Sequence, residues 1–121
     1  MAKNFKPSHG SRVTKKDAME WIDKYDQEMR PDKKKDTKSV FYGRDALLKL
    51  LSEEGSAGIT FFLALKYHEA VKKETIQLVL VATTEDGTLL WGDDSASAQR
   101  TGSGGVGVYD TNFPCPPYCP K

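Results

Sequence analysis

The residues with the clearest chemical potential lie at the end of the chain, in the CPPYC segment Cys115-Pro116-Pro117-Tyr118-Cys119. Two thiols at this spacing can form a disulfide, act as redox groups or supply two ligands to a metal. In extended polyproline geometry, at about 3.1 Å per residue, the cysteines would lie roughly 12 Å apart, whereas a disulfide needs Cα atoms within about 7 Å. A disulfide therefore requires a turn, which a cis bond between Pro116 and Pro117 would favour.

Redox and metal chemistry are both weakly supported by the residues around this segment. The spacing is Cys-x3-Cys rather than Cys-x2-Cys, and no predicted helix follows Cys115 to lower a thiol pKa. Structural zinc normally takes four protein ligands, and His9 and His68, the two histidines of the chain, do not have the spacing of ligands. We therefore expect no metal and no cofactor. We interpret the segment first as a structural or docking tail whose Tyr118 suits an aromatic groove.

Three other groupings resemble reactive motifs, and a structural role is the simpler interpretation of each. The glycine-rich stretch 102–107 lacks the following helix that a phosphate-binding loop needs. The adjacent carboxylates Asp93 and Asp94 are typical of a cap or a polar turn. His68 next to Glu69 has the form of a general base held by a carboxylate, but no nucleophile is identifiable near it. We predict no catalytic residue.

Two helices are predicted in the first half of the chain. Thr14 followed by Asp17 approximates a capping box, and Pro31 ends the helix that begins there. Apolar residues at spacings of four, three and four share one face of this helix: Ala18, Ile22, Tyr25 and Met29. A second helix is predicted over residues 44–54, closed by Gly55 in the left-handed conformation. Its expected buried residues are Leu47, Leu48 and Leu51.

Alternating apolar residues predict strands over 58–67 and 76–83, with 88–91 returning as a third strand. Short connectors favour antiparallel pairing, so these three form a meander. Both faces of the first strand are partly apolar, and we therefore expect it in the interior of the sheet. Shorter strands are predicted at 40–42 and 106–109.

These elements predict an α+β fold in two layers, with two helices packed on a mostly antiparallel sheet. We divide the chain into a flexible leader (1–12), one domain (13–112) and a tail (113–121). The aromatic residues are expected to fill the core, and lining a ligand pocket is the alternative. They are Trp21, Tyr25, Phe41, Tyr42, Phe61, Phe62 and Trp91.

Length and composition narrow the class of protein. A chain of 121 residues with 38% apolar and 29% charged residues is typical of one globular domain. No run approaches the ~18 apolar residues of a membrane span, and no signal peptide is recognisable, so we expect a cytoplasmic protein. Residues 1–50 hold 13 basic and 8 acidic side chains and the remainder 5 and 9, giving +5 and −4. Acids are interleaved throughout the basic half, which argues against nucleic-acid binding.

Four segments together resemble a family of small bacterial proteins with a C-terminal Cys-Pro-Pro-x-Cys tail and no assigned activity. They are FYGRDALLKLL from Phe41 to Leu51, GITFF from Gly58 to Phe62, LVLV from Leu78 to Val81, and the CPPYC segment. The resemblance spans roughly residues 40–119. It implies a bacterial origin and a helix-strand-strand body, but no activity or catalytic residue.

The leading functional hypothesis is a small non-enzymatic module that binds a protein partner through its tail. One alternative is a small-molecule binding protein with a pocket between helices and sheet. The other is a thiol redox or metal site at Cys115 and Cys119. The oligomeric state does not follow from these patterns.

Overall fold

The computed structural model describes residues 4–92 and 113–121. In chain order its elements are α1 (Lys15–Met29), β1 (Ser39–Phe41), α2 (Arg44–Leu51), β2 (Gly58–His68), β3 (Lys73–Thr83), β4 (Leu89–Leu90) and β5 (Phe113–Cys115). Two helices combined with antiparallel strands confirm the predicted α+β class. Among the described residues, none of the helices has the length and apolar character needed to cross a membrane.

The larger sheet is the predicted antiparallel meander, in the order β2-β3-β4. β2 and β3 pair along their whole length, from Gly58 opposite Thr83 to His68 opposite Lys73. A four-residue connector joins them, in which Lys72 has a positive φ of 57°. β1 and β5 form a separate antiparallel ribbon, with Ser39 opposite Cys115. The tail therefore begins as a strand.

The expectation that the first long strand lies inside the sheet is wrong for the described strands. β3 is the central strand and β2 lies at an edge. Leu80 and Ala82 of β3 are fully buried on the face over which α2 packs, and Val81 is fully buried on the opposite face. Apolar residues on both faces of β2 do not indicate burial here, since several of them are exposed.

The core forms where α2 crosses β2 and β3. Leu50 of α2 is fully buried against Leu80 and Ala82, and Leu47 packs beside it. Leu47 and Leu50 lie three positions apart and therefore share a helix face. The predicted burial of Leu48 and Leu51 is wrong, since both are exposed. The helix ends three residues earlier than predicted, and Gly55 adopts the expected positive φ of 88° in the turn that follows.

α1 begins and ends as predicted. The Thr14 hydroxyl accepts a hydrogen bond from the Asp17 backbone N–H at 3.1 Å, and the last helical residue is Met29. None of its residues is fully buried, and within the predicted apolar stripe Ile22 and Met29 are exposed. The helix is held at its C-terminal end, where the Tyr25 hydroxyl donates to the Thr37 carbonyl at 3.0 Å.

The prediction that the aromatic residues fill the core is wrong for five of the seven. Tyr25 and Tyr42 are half-buried, whereas the others are exposed: Trp21, Phe41, Phe61, Phe62 and Trp91. Close-packed aliphatic residues between α2 and β3 occupy the centre instead. Phe62 and Trp91 stack on each other, with ring centroids 6.0 Å apart.

Candidate functional site

The CPPYC segment is closed by a disulfide between Cys115 and Cys119, whose Cα atoms lie 4.6 Å apart. The required turn is present: the Tyr118 N–H donates to the Pro114 carbonyl at 3.0 Å, and the Cys119 N–H donates to the Pro117 carbonyl at 3.1 Å. The Cys115–Pro116 and Pro116–Pro117 bonds are both cis. Of the alternatives left open by the sequence, the structure contains the terminal disulfide.

Among the residues that the structure describes, β1, Lys38 and His68 attach this segment to the body of the fold. β5 pairs with β1, and the Lys38 N–H donates to the Cys115 carbonyl at 2.7 Å. His68 lies at the end of β2, and its Nε2 is 3.2 Å from the Pro116 carbonyl oxygen. Because a carbonyl oxygen can only accept a hydrogen bond, Nε2 is the donor. His68 thus contacts the tail, and the hypothesis of a general base beside Glu69 gains no support from this geometry.

The two ends of the disulfide differ in exposure. Cys115 is only 2% exposed, whereas Cys119 is exposed. A thiolate arriving from solvent would therefore reach the sulfur of Cys119 more readily, and access is one of the factors that set the rate of thiol–disulfide exchange. Across residues 4–92 and 113–121, no three His, Cys, Asp or Glu side chains cluster as a metal site would require.

The charged segment after α1, residues 30–38, is organised around Arg30. Its side chain is buried, with a residue exposure of 4%. The guanidinium donates to the Asp36 carbonyl at 2.7 Å and to the Lys33 carbonyl at 2.8 Å, and it pairs with the Asp26 carboxylate. The hydrogen bond from the Arg30 guanidinium lowers the pKa of Asp26. Each of the three guanidinium nitrogens of Arg30 has a partner, which indicates a structural role.

Asp36 links this segment to the sheet. Its carboxylate accepts a hydrogen bond from Lys73 Nζ at 2.9 Å and another from the Asp32 N–H at 2.9 Å. The hydrogen bond from Lys73, followed by the one from the Asp32 backbone, holds the pKa of Asp36 below its ordinary value. The same hydrogen bond raises the pKa of Lys73. Both shifts favour the charged pair.

A strip of large apolar side chains lies exposed on β2. Phe61, Leu63, Leu65 and Tyr67 alternate along the strand and therefore share one face, which we call the β2 strip. Their exposures are 52%, 78%, 65% and 50%. α2 covers only the beginning of this face, where Ile59 packs against the core. Exposed apolar surface of this kind is typical of interaction sites.

A cavity of about 270 Å³ lies between the N-terminal residues, the end of α2 and the start of β2. Phe5, Lys6, Pro7 and His9 form one wall, and Leu51 and residues 57–60 lie opposite. The Phe5 N–H donates to the Glu85 carbonyl at 2.9 Å, which attaches the N-terminal residues to the β3–β4 turn. His9 Nδ1 accepts from the Lys6 N–H at 3.1 Å.

The structure therefore brings together some of the predicted residues and not others. Cys115 and Cys119 meet, and His68 approaches them through Pro116. Asp93, Asp94, the stretch 102–107 and the predicted strand 106–109 lie outside the described residues. Sequence reasoning missed the β2 strip. Its signal was present as four large apolar residues at alternate positions, but the same pattern describes a buried strand equally well.

No protein-family model, curated protein or solved structure matches this chain. The resemblance to bacterial proteins with a Cys-Pro-Pro-x-Cys tail therefore stays a prediction. Function has to be inferred from the chemistry of the described surfaces.

Proposed function

We propose that this protein is a non-enzymatic protein-interaction module and that the β2 strip is its binding surface. The observation that carries the proposal is the exposure of Phe61, Leu63, Leu65 and Tyr67 on one face of one strand. Folded proteins that stay monomeric rarely keep large contiguous apolar patches in water, because covering them with a partner is favourable by roughly 25 cal/mol per Å² of apolar surface.

The position of the strip supports a protein partner rather than a small ligand. β2 is the outer strand of the described sheet, so its backbone can hydrogen-bond an added strand. An added strand would gain specificity from contacts with the alternating side chains of Phe61, Leu63 and Leu65. The edge of an eleven-residue strand suits such pairing better than it suits the enclosure of a metabolite.

The CPPYC segment is the second contact element of the proposed module. It adjoins the end of β2 through His68, and it presents the exposed side chain of Tyr118. A disulfide between Cys115 and Cys119 restricts the segment before binding, which reduces the entropy lost when a partner is bound. The tail and the strip therefore lie near the same end of β2, on the opposite faces that His68 and Tyr67 occupy.

Photo-crosslinking tests the proposal. A benzophenone amino acid replaces Leu63, in the centre of the strip, and in a matched control it replaces the exposed Glu54. We expect irradiation of the full chain in extracts of its source cells to give a covalent protein adduct from position 63 and not from position 54. Adding Phe61→Asp to the first variant should abolish the adduct. Equal labelling from both positions, or none from position 63, would overturn the proposal.

The cavity beside the N-terminal residues favours a second candidate function, the binding of a small anionic molecule. Lys6 supplies a cation to its wall, and the Thr60 and Thr83 hydroxyls, 2.6 Å apart, lie on the opposite side. Its volume of about 270 Å³ lies just below the usual range for ligand pockets, which begins near 300 Å³. A thermal-shift screen of small anionic metabolites tests this, and Lys6→Ala should remove any stabilisation found.

A further inference from the structure

We infer that the partner of the β2 strip is a second copy of this chain, paired antiparallel through β2 about a two-fold axis at Leu63. The pairing would extend the three described strands of each copy into one six-stranded sheet. This inference rests on the proposed function, because it names the partner of the same surface. A two-fold axis presents the same patch on both copies and closes the assembly at a dimer.

The strand length and the apolar pattern select one register. β2 has eleven residues and Leu63 is its middle residue, so pairing over the full length sets Leu63 opposite itself. Phe61 then faces Leu65 of the second copy, and Ile59 faces Tyr67. All of these side chains lie on one face, which makes a continuous apolar row across the junction. A shift by one residue would instead place the strips of the two copies on opposite faces of the joined sheet.

The charges of β2 agree with this register. Lys66 carries the one formal charge of the strand at neutral pH, and the axis sets it opposite Thr60 rather than opposite Lys66 of the second copy. His68 falls opposite Gly58. No like charges face each other across the junction, whereas a register centred on Lys66 would place two ammonium groups together and would be destabilised.

Among its own residues, β2 carries one of the usual protections of an edge strand, the charge of Lys66. Natural edges avoid self-pairing through prolines, bulges, short length or several charges. β2 contains no proline, and its eleven residues pair with β3 in unbroken register, without a bulge. A long, regular and apolar edge of this kind suits pairing with a copy of itself.

The two halves of the strip complement each other across the axis. In each copy α2 covers the Ile59 end of the face and leaves the Leu65–Tyr67 end exposed. The axis sets the exposed end of one copy beside the covered end of the other. Leu51 at the end of α2 is exposed and borders the same cavity as Ile59. The Tyr67 side chain of the second copy would therefore approach Leu51 and cover it.

A charge-swap experiment tests both the partner and the register. The mass of the full chain in solution is measured by light scattering over low to high micromolar concentration, for the wild type, for Leu63→Lys and for Leu63→Glu. We expect a wild-type mass of twice the 13.5 kDa chain and monomers for each variant alone. A mixture of the two variants should recover the dimer, because opposite charges then face each other at the axis. Glu54→Lys is the control and should stay dimeric.

A wild-type monomer at every concentration would overturn the inference, and so would two monomeric variants whose mixture stays monomeric. Circular dichroism checks that the variants remain folded, which is expected because position 63 is 78% exposed. The cross-linking experiment separates this failure from failure of the proposed function. An adduct whose mass is that of a different protein would overturn the second copy as partner but support the module, whereas no adduct from position 63 would overturn both.

Discussion

Lys73 Nζ on β3 lies 2.9 Å from Asp36 Oδ1 in the loop after α1, across a separation of 37 residues. This ion pair and the hydrogen bonds of Arg30 together hold a charged segment against the sheet. The segment precedes β1, which pairs with β5 and thereby positions the CPPYC segment. A sequence-distant ion pair therefore contributes to placing the tail.

Replacing Asp36 with Asn should lower the melting temperature slightly at neutral pH. The pKa of Asp36 is lowered from its ordinary 3.8. The contribution of this carboxylate to the free energy of unfolding is therefore fully present above pH 3.8 and is lost as the pH falls through the lower pKa of the folded state. Because the pKa of Lys73 is raised, the contribution of its ammonium group to the free energy of unfolding is lost only as the pH rises beyond the ordinary pKa of 10.5. Thermal melts of both proteins should therefore converge in acid. Asp45→Asn, at an exposed position, is the control, and an equal effect there would contradict the prediction.

Replacing Arg30 with Ala should destabilise the fold by about 1–3 kcal/mol, because the Asp36 and Lys33 carbonyls lose their hydrogen-bond donor in a buried setting. Urea unfolding of the variant measures the change in the free energy of unfolding. Arg44→Ala removes an exposed arginine and should change that free energy by less than about 0.5 kcal/mol. Equal effects for the two variants would show that the Arg30 network contributes nothing.

Leu50→Ala and Leu48→Ala should differ sharply, although the residues are two positions apart in one helix. Leu50 is fully buried, and its truncation should cost about 2–5 kcal/mol by leaving a cavity. Leu48 is exposed, and its truncation should cost less than about 0.5 kcal/mol. Urea unfolding measures both. The reverse order would mean that α2 packs through the face expected from sequence.

The purified protein should have the mass of the fully reduced chain less two hydrogens, and reductant should restore them. Cys119→Ser should lower the free energy of unfolding by about 2 kcal/mol, the value expected for closing so short a loop. Tyr118→Ala, which keeps the disulfide, is the matched control. Two thiols that react with an alkylating reagent before reduction would contradict the prediction. Disulfides persist mainly in oxidising compartments, so the redox state in the cell also tests the expected cytoplasmic location.

Features that depend on neighbouring residues were predictable from sequence. The start of α1 follows from Thr14, whose hydroxyl caps a backbone N–H three positions later. The meander of β2, β3 and β4 follows from alternating apolar residues and short connectors. The turn in the CPPYC segment follows from the distance over which its cysteines can bond once a disulfide is assumed, but the sequence left the disulfide as one of several alternatives. In each case the interacting groups lie close together in the chain, so spacing alone describes the geometry.

Which residues are buried, and which contacts they make, was decided only by the tertiary structure. The patterns of α2 and β2 allow several faces to be buried. Leu50 rather than Leu48 is buried because Leu50 lies on the face of α2 that packs against β3. The same packing leaves Leu63 and Leu65 exposed at the sheet edge. Arg30 finds its partners in a loop whose charges look solvated in sequence. Local periodicity states which residues share a face, whereas covering that face requires an element from elsewhere in the chain or from another molecule.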